Sequence, residues 1–252
     1  MHRFFLPPAE CRDAELQLTD REAHHALHVL RVRRGEHVVV LDGEGHEFLC
    51  EIGTAGRHAL QLAVVQKNYT PPQSCPITLL QAIPKGKLFE FIVQKATELG
   101  TARIVPLLTE RVITHLDGQD SAHKAEKWRQ AAIEAIKQCG TPWLPQIEPP
   151  VTPAQFIARR DFIELPLIAS LQGDSRHPRK CFEEFHAVHG RMPKSAAVWI
   201  GPEGDFTPAE MELIKSAGAA PITLGPRVLR TETAAMYCLS VMQYELQFQP
   251  NK

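Results

Sequence analysis

Ala196-Ala197-Val198-Trp199-Ile200-Gly201-Pro202-Glu203-Gly204-Asp205-Phe206-Thr207-Pro208-Ala209-Glu210 reads as a buried strand, a glycine loop and the start of a capped helix. The run Ala196 to Ile200 is apolar without alternation, as a strand covered on both faces of a parallel sheet is. Thr207 stands where an N-cap belongs, Pro208 at the first helical position and Glu210 at the third. That arrangement satisfies amide donors a helix start otherwise leaves orphaned. A strand handing over to a helix in this way is the repeating unit of an α/β domain.

The same alternation extends in both directions. Upstream, Ile77 to Ile83 is a largely apolar run, as in a buried parallel strand. Phe89, Ile92, Val93, Ala96 and Leu99 then share one helical face, and Gly100 supplies the C-cap. Ala102 to Leu108, Leu165 to Leu171 and Ile222 to Leu224 are further strands. Ala122 to Cys139 is a long amphipathic helix ending at Gly140. Downstream, Gly218 closes the helix begun at Thr207, and Thr231 to Gln247 is the final helix. A mostly parallel sheet over residues 73–252 is predicted.

Before it lies Asn68-Tyr69-Thr70-Pro71-Pro72-Gln73-Ser74-Cys75-Pro76, whose prolines and polar residues read as a linker. Residues 1–72 show short strands instead: Phe4 to Leu6, His37 to Leu41, Glu47 to Ile52 and Ala59 to Val65. Asp42-Gly43-Glu44-Gly45 is a hairpin turn between two of them. Only Arg21 to Leu30 looks helical. This spacing predicts a small β-barrel.

The 252 residues are 44% hydrophobic and 23% charged, a globular mixture. No apolar run approaches the roughly 20 residues of a membrane helix. The opening residues lack a signal peptide's apolar centre, so a cytoplasmic, non-membrane protein is expected. The six cysteines are scattered without a C-x-x-C pair, which predicts reduced, mostly buried thiols. A net charge of -1 excludes a uniformly basic coat protein but not a local basic patch.

The loops with chemistry follow strands. Ile200 to Asp205 is one, and Leu224-Gly225-Pro226-Arg227-Val228-Leu229-Arg230-Thr231-Glu232-Thr233 is the other. Ligands of open α/β sheets bind outside the carboxyl ends of strands, and glycines let the backbone approach them closely. There is no P-loop signature, no G-x-G-x-x-G after the strand at Ile77 to Ile83, and no G-x-S-x-G elbow. ATPase, dinucleotide oxidoreductase and α/β-hydrolase readings are therefore disfavoured. His24, His25 and His28 lack a third metal ligand of suitable spacing, so no metal is expected.

Several strings together resemble the RsmE family of 16S ribosomal RNA uridine-N3 methyltransferases, in the SPOUT class. They are Met1-His2-Arg3-Phe4-Phe5, His28-Val29-Leu30-Arg31-Val32-Arg33, Lys95-Ala96-Thr97-Glu98-Leu99-Gly100 and Thr109-Glu110-Arg111. Most specific are Ile200-Gly201-Pro202-Glu203-Gly204 and Leu224 to Ala234. The chain departs from the family's pattern at Asp205, where a second glycine is usual, and at Cys139-Gly140-Thr141, where Ser-Gly-Arg is usual.

The resemblance implies an α/β, SPOUT-type trefoil-knotted methyltransferase domain over 73–252 and a PUA-like RNA-binding β-barrel over 1–72. It implies S-adenosyl-L-methionine as cofactor, 16S ribosomal RNA or the small subunit as partner, and a homodimer. Cofactor contacts are expected from Leu171, Ile200, Gly201, Pro202, Glu203, Gly204, Leu224, Gly225, Leu229, Arg230 and Thr231. Alternatives are a non-catalytic RNA-binding or assembly factor on this fold, and a transferase with another RNA target.

Methylation at uracil N3 removes a proton and spreads negative charge onto O2 and O4. Arg230, just before a helix N-terminus, is the candidate cation for that charge; a structural pair with Glu232 or Glu203 is its alternative. Glu203 is the second candidate, for orienting the cofactor or accepting a proton; Glu232 and water are not excluded as the base. RNA phosphates are expected at Arg31, Arg33 and Arg34, at Lys85 and Lys87, and at Arg111. The final helix carries two apolar stripes, Ala235-Leu239-Met242-Leu246 and Ala234-Cys238-Val241-Tyr244. One is expected to face its own sheet and the other a partner subunit.

Overall fold

The computed structural model describes residues 1–12, 14–56, 59–111, 118–171 and 175–247. They form two compact units, one of Met1–Pro72 with Ile133–Leu144 and one of Gln73–Ala132 with the chain from Pro145 onward.

The first unit is a five-stranded sheet in the order β1 (Arg3–Phe5), β3 (His37–Leu41), β4 (His46–Ala55), β5 (Ala59–Tyr69), β2 (Glu15–Thr19). β1 runs parallel to β3 and the other pairs are antiparallel. Register shifts at Leu49/Cys50 and Ile52/Ala55 mark irregularities in the long β4–β5 ladder, and such bulges sharpen twist and bend a sheet. The result is a curled half-barrel with β1 and β2 as its edges. Its concave side is filled by Phe4, Leu16, Leu18, Val38, Val40, Ile52, Leu60 and Leu62. The predicted strands are present. β2 was not foreseen, because only Leu16 and Leu18 alternate within it, too short a pattern to stand out.

The expected helix begins as α1 (Asp20–His24) and widens into a π-helical turn over His25–Leu30, stopped by Arg31 in the left-handed conformation at φ 54°. The hairpin at residues 42–45 is held by Asp42. Its carboxylate accepts from the Glu44 and His46 amides at 2.7 and 3.0 Å and faces the His46 ring at 2.7 Å. Gly45, at φ 96°, has no room for a side chain: a Cβ there would stand 2.6 Å from the Trp143 ring.

The second unit carries a six-stranded sheet in the order β11 (Ala220–Ile222), β9 (Leu165–Ala169), β10 (Ala196–Ile200), β6 (Ile77–Ala82), β7 (Arg103–Leu107), β8 (Gln146–Ile147). Every pair is parallel, the predicted α/β arrangement. Its helices are α2 (Leu88–Glu98), α3 (Gly118–Cys139), α4 (Pro153–Ala158), α5 (Pro178–His189), α6 (Pro208–Ser216) and α7 (Thr231–Gln247). The predicted cap of α6 is present: Thr207 accepts from the Glu210 amide at 3.3 Å and Glu210 accepts from the Thr207 amide at 2.9 Å. The sequence reading missed α4, α5 and β8.

Two placements differ from expectation. The end of α3 and the turn after it, Ile133–Leu144, group with the first unit rather than with the 73–252 domain. Ile133 and Ile136 pack there against Phe5, Val39 and Leu41. Arg3 donates to the carbonyls of Lys137 and Gln138 at 3.3 and 3.2 Å, covering orphan acceptors of a helix end. Strands β9 and β11 end at Ala169 and Ile222, two residues earlier than predicted, and Ser170–Leu171 and Thr223–Leu224 beyond them line a cavity.

All six cysteines are free and all but Cys139 are buried. Burial pushes the thiols of Cys75 and Cys238 up to about 12, so neither offers a thiolate at neutral pH.

Candidate active site

A cavity of about 440 Å³ opens beyond the carboxyl ends of β9, β10 and β11. Its size suits a small organic ligand, and its position is the one parallel sheets reserve for one. The two glycine loops form most of it.

The first loop leaves β10 at Ile200. The Asp205 amide donates to the Pro202 carbonyl at 2.9 Å, closing a tight turn. Asp205 sits at φ 60°, and its own Oδ1 accepts from the Phe206 amide at 2.8 Å. Aspartate tolerates the left-handed region better than most residues because its short side chain bonds locally. The departure at this position thus keeps the backbone shape a glycine would give. Gly201 is required by close approach: a Cβ there would lie 3.0 Å from Asp205 Oδ1 and 3.2 Å from the Phe206 amide.

These observations set an order of stability at position 205. Asp205→Gly is expected to stay within about 0.5 kcal/mol of wild type, trading the local bond for relief of strain. Asp205→Ala loses the bond and keeps the strain, and is expected to cost about 1–2 kcal/mol. Thermal unfolding of both variants checks this; Asp205→Ala matching wild type would remove the argument.

A third segment braces this loop. Arg111 donates to the Gly204 carbonyl and, at 3.4 Å, to that of Asp205. The Glu110 amide donates to Glu210 Oε1 at 2.9 Å. Glu203 is exposed and accepts from the Lys85 amide at 3.4 Å, which brings the Lys85-Gly86-Lys87 turn beside it.

The second loop turns at Gly225, φ 99°, whose amide donates to Thr223 Oγ1 at 3.2 Å. Val228 is 77% exposed and Leu171 64%, although both line the cavity, so both apolar side chains stand ready to be covered. Thr231 opens α7 and is buried. Arg230, just before it, is exposed and has no side-chain partner among the described residues. Neither Glu203 nor Glu232 pairs with it, so the structural alternative for this arginine is not what the fold uses.

Of the predicted cofactor residues, Leu171, Ile200, Gly201, Pro202 and Glu203 line the cavity, as do Leu224, Gly225, Leu229 and Thr231. Gly204 faces Arg111 instead, and Arg230 lies between lining residues without lining it. The sequence reading missed Ser170, Ser175, Asp205, Thr223, Arg227 and Val228. Asp205, Arg227 and Val228 stand in the loop strings; Thr223 falls in the predicted strand Ile222 to Leu224, and nothing local marked the serines. Lys85, Lys87, Arg227 and Arg230 are exposed cations of this unit, and Arg31, Arg33 and Arg34 are exposed on the first. The His24 and His28 rings lie tilted against each other, with centroids 4.8 Å apart.

Two family models match this chain: an RNA methyltransferase domain over residues 71–243 and an RNA methyltransferase PUA domain over residues 18–65. Ribosomal RNA small subunit methyltransferase E of Synechocystis sp. is 31% identical over 95% of this chain and 76% of its own length. A Legionella pneumophila structure with bound cofactor SAM is 34% identical, with TM-score 0.85 over 96% of both chains. Ribosomal RNA small subunit methyltransferase E from Neisseria gonorrhoeae, solved bound to S-adenosyl methionine, is 28% identical with TM-score 0.83 over 97% of both. The glycine loops, the parallel sheet that presents them and these full-length likenesses make the chain a member of the RNA methyltransferase family that includes the ribosomal RNA small subunit methyltransferases E.

Proposed function

We propose that this protein transfers a methyl group from S-adenosyl-L-methionine to N3 of a uridine in 16S ribosomal RNA, working in the cytoplasm as a homodimer. The observation that carries the reading is the cavity built by Gly201–Asp205 and Thr223–Thr231 beyond the sheet's carboxyl edge. The residues fit the cofactor. Leu171, Leu224 and Leu229 offer apolar walls for an adenine, Gly201 and Gly225 leave backbone accessible, and Glu203 and Asp205 supply acceptors or a negative charge for an amino group or sulfonium.

When bound, the cofactor supplies an already activated methyl, so what the protein contributes is placement. Holding donor and acceptor in line accounts for roughly 7–11 kcal/mol in well-oriented systems. Arg230 stabilises the charge that develops on the uracil oxygens. Glu203 stands exposed on the cavity wall, with one oxygen accepting from the Lys85 amide, and orients the cofactor or takes the N3 proton. Lys85, Lys87, Arg227 and Arg111 form the cationic surroundings of the loops and draw RNA phosphates toward them.

Mass spectrometry of ribosomal nucleosides from a deletion strain tests the reading. Loss of N3-methyluridine from the small subunit, restored by the wild-type gene, is the expected result; an unchanged nucleoside profile overturns it. A narrower expectation concerns the first unit. Replacing Arg31, Arg33 and Arg34 by Ala removes three exposed cations near the end of the first helix. The slope of log affinity for RNA against log salt should fall by up to about 2–3. An unchanged slope would show that these arginines are solvated and touch no phosphate.

A further inference from the structure

We infer that Gln81 is a positioning residue of the methyl-transfer site, setting the spacing of the two glycine loops through the hydroxyl of Thr231; this rests on the cofactor reading above. Gln81 lies near the carboxyl end of β6, between Ile200 of β10 and Pro106 of β7 in register. It is fully buried, with no exposed surface. Burying an amide is unfavourable unless its polar atoms are bonded, so the partners of Gln81 carry the explanation of its presence.

Those partners define a directed relay. Gln81 Nε2 donates to the Ala82 carbonyl at 3.0 Å and to Thr231 Oγ1 at 2.9 Å. A carbonyl can only accept, so the nitrogen end of the amide is the end facing Ala82, and Thr231 Oγ1 accepts from Gln81. The single hydroxyl proton of Thr231 is then given to the Gly201 carbonyl, at 2.7 Å. Gly201 begins the first loop and Thr231 ends the second, and both line the cavity while Gln81 does not. One buried amide on a central strand therefore ties both loops to the sheet.

A second observation separates this role from packing. Gln81 Oε1 is buried with no hydrogen-bond partner among the described residues. Leucine or methionine would fill the same space without an orphaned oxygen, so filling space does not account for glutamine. Its nitrogen does.

The distinguishing readout is cofactor affinity set against stability. Gln81→Met preserves side-chain length and removes both the donors and the orphan acceptor. Its thermal midpoint is expected to equal or exceed wild type, while affinity for S-adenosyl-L-methionine by calorimetry falls about tenfold, equivalent to ~1.4 kcal/mol. Thr231→Val should lose a similar factor, and Thr231→Ser, which keeps the hydroxyl, should recover most of it. Because both residues act in one relay, the double variant Gln81→Met/Thr231→Val should bind no worse than the weaker single variant.

Affinity of Gln81→Met within about twofold of wild type, or losses that add in the double variant, would overturn the inference. If Gln81→Met does not fold, Thr231→Val against Thr231→Ser decides the same question. Absence of binding by the wild-type protein is a separate result: it overturns the cofactor reading and the inference with it.

Discussion

Replacing Arg230 by Ala is expected to lower turnover about a hundredfold to a thousandfold, the range seen when one donor to a developing oxyanion is lost. Affinity for S-adenosyl-L-methionine should stay within about threefold of wild type, because Arg230 does not line the cofactor cavity. The guanidinium is exposed and unpaired among the described residues, so its removal leaves no buried charge and the fold should be untouched. Its main chain acts separately, since the Arg230 carbonyl accepts from the Ala234 amide at 2.8 Å and starts α7. Alanine preserves that bond. The N-terminal amides of α7 also favour a negative charge. An interaction that strengthens only as the uracil ionises should therefore appear in kcat and not in KM. Arg230→Lys keeps the charge but not the fork, and should fall between the two. Single-turnover kinetics with saturating RNA and cofactor checks this. A wild-type rate for Arg230→Ala would remove the residue from the chemistry, and a loss seen only as raised KM for RNA would make it a phosphate contact.

Met242→Glu is expected to abolish folding or solubility, and Val241→Glu to leave a folded chain. The sequence showed two apolar stripes on α7, and the structure regroups them: Ala234 and Cys238 of the second are buried with the first, which leaves Val241 and Tyr244 as its outward part. Ala235, Cys238, Leu239 and Met242 are between 0% and 1% exposed, and Ala234 is also buried. Val241 is half-buried, whereas Tyr237 and Tyr244 are 41% and 73% exposed. A carboxylate at position 242 would be ionised, buried and unpaired, which costs about 3–5 kcal/mol. That is a large part of the roughly 5–15 kcal/mol by which domains are stable. A carboxylate at 241 reaches water in the single chain. If the exposed stripe meets its twin across a two-fold axis in the proposed homodimer, the same charge is buried twice and the dimer dissociates. Thermal unfolding and light scattering separate the outcomes. Val241→Glu is expected to unfold near the wild-type midpoint and to scatter at half the wild-type mass. A wild-type protein that is monomeric at micromolar concentration and still methylates RNA would overturn the homodimer, and a stable Met242→Glu would overturn the assignment of the buried stripe.

The sequence by itself determined whatever depends on neighbours along the chain. The cap of α6 was readable because Thr207 and Glu210 accept from one another's amides within four residues, with Pro208 between them lacking an amide to satisfy. The parallel sheet was readable because strands covered on both faces are apolar nearly throughout, as Ala196–Ile200 is entirely and Ile77–Ile83 is apart from Thr78 and Gln81. Both cavity loops were readable because glycine beside proline after such strands marks backbone that cannot continue the ladder. The edge strand β2 lay at the limit, with two inward residues as its only signal.

Tertiary structure decided whatever depends on residues far apart in the chain. An exposed arginine carries no local mark of its partners, so only the fold shows that Arg111 braces the Gly204 carbonyl, more than ninety positions away. Ile133–Leu144 continues a helix from one compact unit and joins the other, because Ile133 and Ile136 meet Phe5 and Leu41 in a core that periodicity cannot locate. Gln81 is the clearest case. In Ile77-Thr78-Leu79-Leu80-Gln81-Ala82 it is a polar residue interrupting a hydrophobic run. Only the fold brings Thr231 and Gly201 within hydrogen-bond reach of its relay. Periodicity encodes which face is buried, but hydrogen bonds are directional and short, so the partner of a buried amide is fixed only when distant strands and loops have been packed together.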